Sequence, residues 1–195
     1  MQTDPNEDPA LPSDDELYKK FIDGDSSSFD ELLIRHGDAL ILYLNAYLHN
    51  LQDSEDLMIE SFARIMAKKP AIGKGCFKAY LYKTARNLAS RFHFMRSRAE
   101  TFSLDDYEES LKADVDIEDT ITADERSKIL NLCLEKIDPK LKEALWLVYI
   151  EDLSYADAAK VLGVSVKRLD KLLQNGKKVL KSEVIKEGIT NPFER

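Results

Sequence analysis

Large apolar side chains in this chain recur three or four positions apart rather than every second position, and only 7 Gly and 6 Pro punctuate its 195 residues. Alternation marks a strand and recurrence near 3.6 marks a helix, so the pattern leaves little room for hairpins or sheets and predicts an all-α fold. With 44% hydrophobic residues the chain can build real cores, as one domain or two small ones.

Charge divides the chain further. The formal net charge is -8, yet ten cations and no acid lie between Arg64 and Arg98: Arg64, Lys68, Lys69, Lys74, Lys78, Lys83, Arg86, Arg91, Arg96 and Arg98. Phe77, Tyr80, Tyr82, Phe92 and Phe94 are threaded among them. Basic charge interleaved with rings suits a partner that is anionic and has π faces, namely nucleic acid; a merely solvated cationic helix face is the plainer alternative. Residues 99–125 reverse the sign, with eleven acids against Lys112 alone, and read as a linker extended by its own repulsion. Residues 1–13 combine Pro and acid with almost no large apolar side chain and read as disordered. The expected organisation is an acidic N-terminus over 1–13, a helical domain over 14–98, an acidic linker over 99–122, a second helical domain over 123–187 and a tail over 188–195.

In the first domain Leu17 and Phe21, then Phe29, Leu32 and Leu33, then Leu40, Tyr43, Leu44, Tyr47, Leu48 and Leu51 fall at helical spacing. They predict two or three amphipathic helices broken between Gly24 and Ser28, with Gly37 a further candidate break. Asp53 is the expected N-cap of the next helix, whose first turn is acidic and whose buried stripe is Met58, Phe62, Ile65 and Met66. A basic loop, Lys68 to Gly75, follows, since Pro70, Gly73 and Gly75 interrupt the helical pattern. In the helix after it, Phe77, Tyr80, Leu81, Ala85, Leu88 and Phe92 make one face, and Lys83, Arg86, Asn87, Ser90 and Arg91 lie along another. Tyr82 and Phe94 are the aromatics expected outside that core.

The second domain opens at a capping box, Thr122 to Glu125, and continues with the apolar stripe Ile129, Leu132, Cys133 and Ile137. Asp138-Pro139 starts a further helix, with Pro at the first helical position. Ser154 to Asp157 forms another box, leading through Ala158, Ala159, Val161 and Leu162 to Gly163, and Leu169, Leu172 and Leu173 bury the helix that follows. Helix, glycine turn and capped helix are the parts of a helix-turn-helix, although a plain αα-hairpin shares them. The outer face of the last helix offers Ser165, Lys167, Arg168, Lys171, Gln174 and Asn175, with Lys177, Lys178 and Lys181 behind, and Arg, Lys, Asn and Gln are the side chains that read base edges.

Other classes find little support. Cys76 and Cys133 are far apart with no CxxC or clustered His, so neither a disulfide framework nor a zinc site is suggested, and two reduced thiols fit the cytoplasm. His36, His49 and His93 are scattered, no Gly-rich phosphate loop appears, and neither an enzyme nor a cofactor is expected. No stretch approaches about 18 uninterrupted apolar residues, so no membrane insertion is expected.

Taken in order, these segments resemble a bacterial RNA polymerase sigma factor of the extracytoplasmic-function (ECF, group IV) type, over nearly the whole chain from about Asp14 to Lys186. The resemblance rests on Asp53-Ser54-Glu55-Asp56-Leu57-Met58-Ile59-Glu60-Ser61-Phe62, on Phe77, Tyr80-Leu81 and Ala85-Arg86-Asn87, and on Leu153-Ser154-Tyr155 with Ala159 to Gly163. It implies that Asp53, Glu55, Asp56, Leu57, Glu60 and Phe62 belong to a surface gripping the clamp coiled coil of core RNA polymerase. The plainer reading of those acids is capping and solvation, and a metal site is a third. It further implies that Lys68, Lys69, Lys74, Lys78, Lys83, Arg86, Asn87, Arg91, Arg96 and Arg98 hold the single-stranded non-template strand of a promoter minus-ten element. Ser165, Lys167, Arg168, Lys171, Gln174, Lys177 and Lys178 would meet the minus-thirty-five duplex. The acidic linker would follow the RNA-exit path. Families of this kind are commonly held inactive by an anti-sigma factor, so the resemblance admits one here. This chain departs from the family at Asp170 and Asn175, where basic residues are usual, and at Gly176, which weakens a helix by about 1 kcal/mol relative to Ala. The alternative reading is a helix-turn-helix regulator that binds duplex DNA without polymerase.

Overall fold

Ser13 begins the first helix by a reciprocal exchange: its hydroxyl accepts from the Glu16 N–H, and the Glu16 carboxylate accepts from the Ser13 N–H at 2.8 Å. In the computed structural model, which describes residues 11–102 and 132–186, four helices of the N-terminal lobe follow: α1 (Asp14–Ile22), α2 (Ser27–Leu48), α3 (Leu51–Lys68) and α4 (Phe77–Phe102). No strand occurs among the described residues. The expected acidic N-terminus before Leu11, most of the acidic linker, the box at Thr122 to Glu125, Ile129 and the tail after Lys186 lie outside the described residues.

Local chemistry fixes each break. Asp25 accepts from the Ser27 N–H and from the hydroxyls of Ser27 and Ser28, closing the turn between α1 and α2. α2 runs through Gly37 without interruption, where a Cβ would meet only Met58 Sδ at 3.9 Å, so Gly37 is no break. Asn50, not Asp53, is the N-cap of α3; its side-chain oxygen accepts from the Asp53 N–H, which puts Asp53 inside the first turn. α3 ends at Lys69 in the left-handed region (φ 43°), one residue before Pro70.

The four helices close around an aromatic core. Phe21 packs on Phe29 at 4.5 Å between ring centroids, Phe29 meets Phe62 edge-on, and Tyr18 packs on Phe77. Tyr82, expected outside, is completely buried instead and packs on Tyr43. Met66 and Leu33, expected inward, are exposed.

The C-terminal lobe contains α5 (Pro139–Leu145), continued by one π-helical turn (Trp146–Ile150), then α6 (Tyr155–Leu162) and α7 (Val166–Lys186). Asp138 caps α5 by accepting from the Lys140 N–H, with Pro139 at the first position. Ser154 caps α6, and Gly163 leaves it in the left-handed region (φ 67°). Ser165 Oγ accepts from the Arg168 N–H to start α7. Leu169 and Leu173 are buried, Leu172 is half-buried, and Leu132 is exposed rather than part of the core. Gly176 is buried where α7 crosses α5, and a Cβ there would lie 3.1 Å from the Leu145 side chain. The glycine is a close-approach position, and the helix tolerates its propensity cost because packing decides. The two lobes are not separate bodies: α4 packs on α6, and their buried apolar residues form one contiguous cluster.

Candidate nucleic-acid interface

Three surfaces were singled out by sequence, and the structure treats each differently. On α3, Asp56 and Glu60 are exposed, Glu60 pairing with Arg64 at 2.6 Å, while Glu55 is half-buried. Asp53 faces Arg96 Nη1 at 3.4 Å across to the far end of α4. Leu57 and Phe62 are core residues, 5% and 1% exposed, and do not belong to that surface. Sequence reasoning missed Ile59, which stands 58% exposed between Asp56 and Glu60; its position off the buried stripe was the available signal. Among the described residues no group of three or more His, Cys, Asp or Glu could hold a metal ion.

The basic loop is held from α1. Tyr18 donates to the Pro70 carbonyl at 2.7 Å, the Gly75 N–H donates to Asp15 at 2.6 Å, and Gly75 takes a positive φ of 70°. Lys68, Lys69 and Lys74 are exposed, and Lys69 lies over the Phe21 ring at 4.8 Å. Neither Asp15 nor Tyr18 carried a sequence signal for this task, because the contacts span more than fifty residues.

On α4 the cations split into two groups. Lys83, Asn87, Arg91, Arg96 and Arg98 are exposed, as is Phe94, over which the Arg98 guanidinium sits at 5.8 Å. Lys78 and Arg86 are half-buried against the C-terminal lobe. Arg86 donates from Nε to Glu143 Oε1 at 2.7 Å and from Nη2 to Oε2 at 3.4 Å, and the Tyr43 hydroxyl donates to the same Oε1 at 2.7 Å. Lys78 Nζ meets Glu151 Oε2 at 3.1 Å and donates to the Glu151 carbonyl at 2.7 Å, while Trp146 Nε1 donates to Oε1 at 3.0 Å. Burial opposes the Arg86 charge, but Glu143 outweighs it and holds the guanidinium pKa above its ordinary value. Burial, and then the Glu143 charge, push the Tyr43 phenol well up. Glu143 and Glu151 were missed by sequence reasoning, since each reads locally as an ordinary polar position.

Ser165, immediately before α7, and Lys167, Arg168, Lys171, Gln174, Lys177 and Lys178 on it are all exposed. Asp170 is half-buried and accepts from Gln174 Nε2 at 2.9 Å. Lys177 sits 4.5 Å over the Tyr149 ring. Burial raises the Tyr149 phenol, but hydrogen bonds with Lys177 and Tyr155 and the charge of Lys177 bring it below its ordinary value. A helix presenting cations from its first turns, set against a glycine-terminated helix, has the geometry that enters a major groove.

Comparison with known proteins finds two family models along the chain. The family model for Sigma-70 region 2 matches residues 32–99 and that for Sigma-70 region 4 matches residues 127–180. The ECF RNA polymerase sigma factor SigE of Mycolicibacterium smegmatis is 26% identical over 82% of this chain, which spans 62% of that relative's length. The RNA polymerase sigma-H factor of Pseudomonas aeruginosa is 25% identical over 76% of this chain and 82% of its own. Among solved structures, the sigma factor RpoE in complex with the anti-sigma factor NepR from Bartonella quintana superposes with a TM-score of 0.62 at 21% identity, covering 80% of this chain and 96% of that one, and shares the fold.

Proposed function

The chain belongs to the ECF branch of the sigma-70 family of bacterial RNA polymerase sigma factors, and on that premise we propose that it is a non-enzymatic initiation factor, working in the cytoplasm, that docks on core polymerase and opens a promoter. The observation that carries this reading is the ordered pair of family matches, region 2 on the lobe bearing the acid-free cationic block and region 4 on the helix-turn-helix lobe. No helix among the described residues is long and apolar enough to cross a membrane.

The division of labour follows from chemistry. The exposed Asp56, Ile59 and Glu60 form the polymerase-facing surface, an apolar contact ringed by acids. Lys83, Arg91, Arg96 and Arg98 take phosphates of the minus-ten strand, with Asn87 and Phe94 beside them for bases. Each stacked base contributes about 1 to 3 kcal/mol, which offsets unpairing without a catalytic group. Ser165, Lys167, Arg168 and Lys171 enter the minus-thirty-five groove by the N-terminal turns of α7. Asp170 lies beside Gln174, and its charge also acts on Tyr149, Tyr155 and Lys177.

The experiment is binding to bacterial core polymerase followed by open-complex formation on a promoter pool, with Asp56→Lys and Arg91→Glu variants. Polymerase affinity lost in Asp56→Lys and strand opening lost in Arg91→Glu are expected. Salt-sensitive binding to duplex DNA with no polymerase affinity would leave a helix-turn-helix regulator.

A further inference from the structure

Two carboxylates of the C-terminal lobe are spent on Lys78 and Arg86, cations that the resemblance to sigma factors assigns to the minus-ten strand. Glu143 and Glu151 have nearly buried side chains, 8% and 4% exposed, and each points into the N-terminal lobe. Around Glu143 Oε1 two donors converge from two different helices, Tyr43 from α2 and Arg86 from α4, each at 2.7 Å. That is an oxyanion site: a guanidinium fork and a phenol directed at one acceptor, with a buried floor, since Tyr43 is 4% exposed and its ring packs on Tyr82. Lys78 makes a second anion station on the same helix, eight residues earlier, about 12 Å along the axis. A few successive phosphates of a nucleic-acid strand cover that separation.

From this we infer that the C-terminal lobe folds back as an internal DNA mimic: Glu143 and Glu151 fill two phosphate sites, one built by Tyr43 with Arg86 and one by Lys78, and must leave before the minus-ten strand can enter. The inference rests on the sigma reading and adds to it a new DNA contact, the Tyr43 hydroxyl, and a closed state that the chain imposes on itself.

Carboxylate and phosphate oxygens accept from a guanidinium fork in the same way, so one displaces the other without a change in donor geometry. Energetics favour a latch over a permanent weld. A buried ion pair regains in attraction little more than it loses in desolvation, which makes it weak as glue but selective for its partner. A polyanion that supplies several phosphates at once, and releases counterions as it binds, competes well against two isolated carboxylates. Sequence makes the arrangement specific to the lobes' meeting. The block from Arg64 to Arg98 contains no acid of its own, so Lys78 and Arg86 take their carboxylates from outside it.

The test uses the full chain and two readouts, radius of gyration by small-angle scattering and the affinity of a fluorescently labelled single-stranded DNA carrying a selected minus-ten sequence. The expected result for the double variant Glu143→Gln/Glu151→Gln is a larger radius with unchanged helix content and about tenfold tighter DNA binding, the equivalent of about 1.4 kcal/mol. Adding Tyr43→Phe in that opened background should weaken DNA binding several-fold. An unchanged radius and affinity, or a larger radius with no gain in DNA affinity, overturns the latch; an unchanged affinity on adding Tyr43→Phe overturns the phosphate site at Tyr43. If the double variant loses helix content, the charge swap Arg86→Glu/Glu143→Arg decides by radius alone: a compact protein, against an expanded Arg86→Glu single variant, supports the latch, and an expanded swap overturns it. Core-polymerase binding and promoter opening by the unmodified chain are measured in parallel, so failure of the latch with those intact leaves the sigma reading standing. Their absence overturns the sigma reading itself.

Discussion

On α4 two cations, Lys78 and Arg86, are half-buried in ion pairs with the opposite lobe, whereas on α7 Lys167, Arg168, Lys171 and Lys178 stand in solvent. Both helices were picked out by the same sequence signal, positive charge on one face of an amphipathic helix. The difference teaches that a charge pattern fixes which face of a helix is polar, and nothing about which charges are already engaged. On α7 the pattern and the available charge coincide, because the apolar stripe Leu169 and Leu173 takes one side and nothing covers the other among the described residues. On α4 a second lobe intervenes, supplying Glu143 and Glu151 from 57 and 73 positions away.

The comparison breaks most visibly in the cores. Phe62 was grouped by sequence with the acids of α3, yet it is 1% exposed against Phe29. Phe62→Ala should cost about 3 to 5 kcal/mol in denaturant unfolding, the usual range for a large aromatic lost from a core. Asp56→Ala, on the exposed face one and a half turns earlier, should change stability by no more than about 0.5 kcal/mol. Equal and small effects would place Phe62 at the surface after all. In the C-terminal lobe the corresponding position is Gly176. A valine there would push into Leu145, which already stands 3.1 Å from where a Cβ would be, so Gly176→Val should cost about 1 to 3 kcal/mol by overpacking. The neighbouring Asn175→Ala should be nearly silent in the same melt.

A smaller effect separates the lobes by pH. Asp14 holds Arg35 at 2.8 Å and His36 at 2.7 Å, tying α1 to α2. Burial pushes its pKa up, but His36 and Arg35 outweigh burial and hold it below its ordinary value of 3.8. A carboxylate with a depressed folded-state pKa contributes stability that is complete above its unfolded value and is lost as pH falls through the folded one. Chemical melts of the unmodified chain should therefore weaken below about pH 4, and part of that weakening should be absent in Asp14→Asn. An identical pH profile in the variant would show that Asp14 is not the group responsible.

How much of this was legible follows the range of the interactions. Helix existence, the all-helical class, the Asp138-Pro139 start and the Gly163 turn were readable because each depends on neighbours within four residues. The same locality explains the near misses. Asn50 was overlooked as a cap because Leu51 and Gln52 separate it from the acids that drew attention, and Gly37 and Gly176 were read by propensity, whereas α2 runs through the first without interruption and the second is a close approach to Leu145. Tyr82 was assigned outward because it adjoins the apolar face of α4 without sharing its strict spacing, yet α2 supplies Tyr43 to cover it. The site was legible as a list of charged residues and not as an arrangement. That Asp15 and Tyr18 brace the basic loop, and that Tyr43 joins Arg86 on one carboxylate 100 positions later, depend on the folded chain alone.

The sharpest contrast between the lobes is also the smallest in energy. Lys83 on α4 and Lys171 on α7 are both exposed, and replacing either by Ala should leave stability within about 0.5 kcal/mol. Their DNA partners differ in charge density. A contact to a duplex phosphate changes the logarithmic salt slope by about 0.9, and one to a single strand by about 0.7. With the polymerase complex on promoter DNA, Lys171→Ala should flatten the slope for duplex binding by about the first amount, leaving strand opening of the bound complex unaffected. Lys83→Ala should flatten the slope for open-complex formation by about the second amount and leave upstream duplex binding alone. If both variants flatten the same slope, the two lobes grip one continuous stretch of DNA and the assignment of one to each promoter element fails. If neither does, the exposed cations of both helices are solvated faces, and DNA recognition rests with the residues now closed against Glu143 and Glu151.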